Sequence, residues 1–92
     1  MNSFDTWRVL LRKRAQKAVA RAPRPDQERL QAAIKEMESD PFAGDVERLK
    51  SERTAFRRRV GDWRFLFDVH REVRLVEIRY IERRTTTTYR RR

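Results

Sequence analysis

The stretch Phe56 to Val69, F-R-R-R-V-G-D-W-R-F-L-F-D-V, constrains this chain more than any other segment. Apolar and charged residues alternate on both sides of Gly61-Asp62. A Gly-Asp pair between two alternating runs predicts a β-hairpin with a two-residue loop. That loop sets Val60 opposite Trp63, Arg59 opposite Arg64, Arg58 opposite Phe65 and Arg57 opposite Leu66. One face then carries Phe56, Val60, Trp63, Phe65 and Phe67, with Arg58 out of character. The other face carries Arg57, Arg59 and Arg64. Like charges directly across a ladder repel, so folding alone gives no reason to set Arg59 against Arg64. Three guanidiniums on a stiff sheet face point to phosphate binding.

The rest of the chain must supply cover for the aromatic face. Trp7, Val9 and Leu11 alternate with polar neighbours and predict a short first strand. From Arg12 the period becomes helical: Leu11, Ala15, Ala18, Val19 and Ala22 share a stripe, which Pro23-Arg24-Pro25 stops. Asp26 is the expected N-cap of a second helix with the stripe Leu30, Ala33, Ile34 and Met37, ended by Asp40-Pro41. Phe42 to Lys50 reads as a connector. A last strand, Val73 to Ile81, is expected antiparallel to Trp63–His70 after a tight turn at Arg71-Glu72. Pairing Phe67 with Val76, Phe65 with Ile78 and Trp63 with Tyr80 adds Tyr80 to the core. It also sets Leu75, Glu77 and Arg79 on the arginine face, Arg79 beside Arg64, while His70 is expected to be solvated near the turn. The fold class is therefore α+β, order β-α-α-β-β-β, a small antiparallel sheet covered on one face by a helical hairpin.

Composition narrows the partners. The chain has 92 residues, 41% of them charged, and a formal charge of +10. That length supports one modest core, so residues 1–92 are expected to form a single domain. Half of the excess charge lies in the basic tail 83–92, which holds five arginines and no acid. Arginine outnumbers lysine about fivefold, which favours planar, bidentate contacts with phosphate. The partners this charge favours are polyanions. The sequence has no cysteine and one histidine, His70, so disulfides, thiolate chemistry and multi-histidine metal sites are excluded. No cofactor or metal is expected. No run is apolar enough for a membrane span and the N-terminus lacks a signal-peptide core, so no membrane partner and a cytoplasmic location are expected.

Three motifs carry a family resemblance: the connector D-P-F-A-G-D-V-E-R-L-K, the hairpin F-R-R-R-V-G-D-W-R-F-L-F and the closing R-R-T-T-T-T-Y-R. With this element order, the chain resembles the RelE/ParE toxin superfamily of type II toxin–antitoxin systems from about Trp7 to Arg90. The resemblance implies a RelE-like fold and a cognate antitoxin as partner. In the RelE-like branch it implies cleavage of mRNA in the ribosomal decoding site, and in the ParE-like branch inhibition of DNA gyrase without nuclease activity. The nuclease branch is favoured because its basic and aromatic positions are filled by Arg57, Arg59, Arg64, Arg83 or Arg84, and Tyr89. The run Thr85–Thr88 strains the Arg-to-Tyr spacing, and the C-terminal histidine of some family nucleases is absent. An inactive, RNA-binding member is a third reading.

Metal-free RNA cleavage needs a base for the 2′-hydroxyl, cations for the phosphorane and an acid for the leaving 5′-oxygen. The expected catalytic set is Arg57, Arg59, Arg64, Arg84 and Tyr89, with Arg79, Arg83 and Arg90 as RNA-binding residues. Tyr89 is the candidate for proton transfer or base stacking. Glu77 is a candidate base, since the expected register sets it on the arginine face.

Overall fold

The computed structural model describes residues 6–50 and 53–84. In chain order the elements are β1 (Arg8–Leu11), α1 (Lys13–Arg21), α2 (Arg24–Ser39), β2 (Asp45–Arg48), β3 (Phe56–Val60), β4 (Trp63–His70) and β5 (Leu75–Arg83). The strands form one sheet in the order β1-β5-β4-β3-β2, antiparallel except where β1 runs alongside β5. The class is α+β, as the patterning implied, with one strand more than expected. β2 arises within the connector and pairs with β3 along the sheet edge.

Each helix boundary has a local cause. α1 ends at Pro23, and Gln27 of α2 reaches back to donate to the carbonyls of Val19 and Ala20 at 3.0 and 3.1 Å. The Val19 carbonyl also accepts the Ala22 N–H at 3.2 Å, so Gln27 completes the satisfaction of the last-turn carbonyls. α2 begins at Arg24-Pro25 rather than after Asp26, because proline in a first turn has its φ preset and needs no N–H partner. Asp26 is thus not the N-cap but a first-turn acid facing the positive end of the helix. The helix stops at Asp40, held extended before Pro41, whose carboxylate accepts the Phe42 N–H at 2.9 Å.

The hairpin forms in the expected register, Val60 opposite Trp63 and Arg59 opposite Arg64. Gly61 takes φ 59°, as the first central position of a two-residue loop requires. Leu30, Ala33 and Met37 of α2 and Ala15 of α1 close over Val60, Trp63, Phe65, Phe67, Val76, Ile78 and Ile81. Phe65 and Phe67 are completely buried and anchor this core.

Arg58 belongs to the same inner face. It lies under α2, where its guanidinium donates to the Ala33 carbonyl at 3.3 Å and the Glu36 carboxylate at 2.5 Å. Gly44, at φ 82°, makes room for it: a Cβ there would come within 2.8 Å of Arg58 Nε.

The β4–β5 register departs from the expectation. The turn is a 3-10 segment, Arg71–Val73, followed by Arg74 in the left-handed region, so β5 enters two residues later. Phe67 pairs with Ile78, not Val76. A β-bulge at Leu66/Phe67 then adds a residue to β5, and beyond it Leu66 faces Tyr80, Phe65 faces Ile81 and Trp63 faces Arg83. A bulge exchanges the faces of everything beyond it. Ile81 therefore takes the core place expected for Tyr80, and Tyr80 turns to the arginine face.

Candidate nucleic-acid interface

The face of the sheet away from the helices is built from two rows of side chains that cross the strands. One runs Glu47, Arg57, Leu66, Tyr80, the other Asp45, Arg59, Arg64, Glu82. Acids at both ends explain how Arg59 and Arg64 tolerate each other. Asp45 lies 3.9 Å from Arg59, and Glu82 lies 3.2 Å from Arg64. Arg57 is held by Glu47 at 2.5 Å.

Arg57, Arg59 and Arg64 converge, with Glu47 and Arg84, around a depression of about 230 Å³. Arg84 reaches it because its backbone N–H donates to the Asp62 carbonyl of the hairpin loop at 2.7 Å. Arg83, one residue earlier, turns to the helix side, 3.6 Å from Asp26 and stacked over Trp63 at 5.4 Å. The bulge decides between them, since it sets Tyr80 and Glu82 on the outer face. Two donors of its lining residues, Arg57 Nη1 and Arg64 Nε, are buried with no hydrogen-bond partner among the described residues, as are Arg58 Nε and Trp63 Nε1 on the inner face. Buried donors of this kind have a desolvation cost that an incoming anion relieves.

Glu82 bridges Arg53 at 2.9 Å and Arg64 at 3.2 Å. Burial works to raise its pKa, but the hydrogen bonds and charges of Arg53 and Arg64 outweigh it and hold the carboxyl below the ordinary value. It is fixed as an anion that braces Arg64. Glu47, at the mouth, is the only carboxylate lining the depression among the described residues. The connector reading missed it. The alternation Asp45-Val46-Glu47, set against R-x-R in β3, is the signal that could have found it.

Several sequence expectations are corrected. Arg79 does not stand beside Arg64; it is displaced at the bulge, pairs with Asp68 at 3.7 Å, and lies along the sheet from the depression. Glu77 is on the arginine face but at its far end, bound by His70 at 3.0 Å and near Arg12 at 3.5 Å. His70 is therefore partnered rather than simply solvated. Tyr89 and Arg90 lie outside the described residues. Among those residues no three His, Cys, Asp or Glu side chains group to hold a metal ion, and no helix is long and apolar enough to cross a membrane.

Solved structures share this architecture. A chain of the archaeal RelE–RelB complex from Pyrococcus horikoshii superposes with a TM-score of 0.77 at 24% identity, covering 88% of this chain and 98% of that one. The chain has the RelE-like fold. The RelBE2 toxin–antitoxin complex of Mycobacterium tuberculosis gives a TM-score of 0.74 at 18% identity, over 86% of this chain and 99% of that one. The intact RelBE toxin–antitoxin complex of E. coli gives 0.60 at 15% identity, over 86% and 98%. No protein-family model and no curated protein matches the sequence. At such identities a RelE-like backbone persists while most side chains differ, so the chemistry must be argued from the arginine depression itself.

Proposed function

We propose that this chain is the toxin of a type II toxin–antitoxin pair and cleaves mRNA in the ribosomal decoding site. The observation that carries this reading is that Arg57, Arg59, Arg64 and Arg84 line one depression together with a single carboxylate, Glu47. The structural relatives are chains of toxin–antitoxin complexes, which supports an antitoxin as the partner here. Its segment would cover the arginine face with acidic or amphipathic residues.

In the reaction, Glu47 accepts the proton of a ribose 2′-hydroxyl as that oxygen attacks the adjacent phosphorus. The P–O5′ bond breaks, leaving a 2′,3′-cyclic phosphate on one fragment and a 5′-hydroxyl on the other. The guanidiniums of Arg57, Arg59, Arg64 and Arg84 bind the phosphorane oxygens as negative charge gathers there, a form of preorganised stabilisation that is large in catalysis generally. Tyr89 delivers the proton to the departing 5′-oxygen. The test is induced expression in a bacterium with mapping of mRNA 5′ ends, alongside an assay for gyrase-trapped DNA. New 5′-hydroxyl ends in translated codons are expected. Trapped DNA with intact mRNA would replace the reading with gyrase inhibition, and tight RNA binding without cleavage would leave an inactive binder.

A further inference from the structure

A second basic hollow opens on the same face, where β1 gives way to α1. Arg12, Lys13 and Arg14 meet Arg79 and Tyr80 around a depression of about 210 Å³. Two of these four cations are steadied by acids, Arg12 by Glu77 at 3.5 Å and Arg79 by Asp68 at 3.7 Å. Lys13 and Arg14 have no ion-pair partner among the described residues. The hollow exists because of the bulge, which displaces Arg79 and brings the Tyr80 ring to this side of the sheet.

The two hollows are physically linked. Arg64 contacts Glu82, Glu82 contacts Arg53, and the Arg53 guanidinium lies over the Tyr80 ring at 4.2 Å. Arg57, Leu66 and Tyr80 are cross-strand neighbours, so Arg57 in one hollow and Tyr80 in the other stand about two strand spacings apart, roughly 10 Å. One oligonucleotide can occupy both.

We propose that this hollow is a second phosphate subsite for single-stranded RNA. A strand with its scissile phosphate in the arginine depression crosses Leu66 and Tyr80 and sets a further phosphate among Arg12, Lys13, Arg14 and Arg79. The Arg53 guanidinium stacked on the Tyr80 ring offers an unstacked base a planar cationic surface, one of the usual means of holding single strands. The inference rests on the RNA reading above, and its test separates the two.

Uncleavable 2′-O-methyl RNA, as a labelled dinucleotide and a labelled nonanucleotide, is titrated into the full chain at low ionic strength. The double variant Lys13→Ser/Arg14→Ser removes two exposed charges outside the proposed catalytic set. Expected is a loss of roughly tenfold in nonanucleotide affinity, with the log–log salt slope shallower by about 0.7, the contribution of the one single-strand phosphate contact that the hollow supplies. Dinucleotide binding, with a single phosphate, is expected to hold within about twofold and to fall in Arg64→Ala. Unchanged nonanucleotide affinity and slope in the double variant overturns the subsite while leaving the RNA reading intact. Failure of wild-type protein to bind either RNA overturns both. A loss seen only with an oligoglutamate peptide would reassign the hollow to a protein partner and overturn the proposal.

Discussion

Arg57 and Arg58 are adjacent in sequence and opposite in fate. Arg58 faces inward, almost wholly buried, with Ala33, Glu36 and the bare backbone of Gly44 shaped around its guanidinium. Arg57 faces outward, held by Glu47 on one side while its Nη1 is buried and unbonded on the other. A strand alternates its side chains by geometry alone, so charge by itself says nothing about role. The partners do: the inner arginine, although its Nε also lacks a hydrogen bond, gives its terminal nitrogens to α2, whereas the outer arginines line an open depression that suits a phosphate.

Four substitutions probe that contrast. The largest effect is expected from Arg64→Ala, which removes a cation and an unbonded donor from the outer cluster. Cleavage and growth arrest should fall on the order of 100–1000-fold, with the melting temperature nearly unchanged. Wild-type toxicity in a folded Arg64→Ala protein would remove this arginine from the proposed mechanism. Glu47→Gln should come next, slowing cleavage about 100-fold while RNA affinity stays level or rises, because one negative charge leaves the depression. Equal losses of rate and affinity would make Glu47 a mere brace for Arg57.

On the inner side, Arg58→Ala should cost about 2 kcal/mol through lost packing and hydrogen bonds. For a chain of this size that lowers the melting temperature by roughly 10 °C, with cleavage intact well below the transition. A normal melting temperature would mean that Arg58 does not stabilise the sheet–helix contact. The smallest effect is expected at Glu82. Its pKa is lower in the folded state than the ordinary 4.5, so its contribution is present above the unfolded value and is lost as pH falls through the folded one. Wild-type and Glu82→Gln melting curves should therefore differ at neutral pH and draw together in acid; a gap that widens in acid would reverse the assigned sign.

The parts legible in the sequence are those set by short-range chemistry. Gly61-Asp62 and the period-two runs beside it specify the hairpin, because a two-residue loop leaves no freedom of register. The prolines at 23, 25 and 41 bound both helices. Less legible was β2, a four-residue edge strand with a single apolar side chain, Val46, whose only cue is charge complementarity to β3. The β4–β5 pairing was misread because its loop is longer and less diagnostic than Gly-Asp, and a bulge has no compositional signature. That one error misplaced Tyr80, Arg79 and Glu77, and left Arg83 and Arg84 undecided.

By itself, then, the sequence determined which residues alternate around a tight turn, and hence that Arg57, Arg59 and Arg64 share a face opposite the aromatic core. Tertiary structure alone decided what joins them. The extra residue in β5 reverses the facing of the strand's second half, so Arg84 enters the depression and Arg83 turns to α2, while the edge strand brings in Glu47. Local periodicity is a property of one strand, whereas register between strands depends on how the whole sheet buries its apolar side chains beneath the helices.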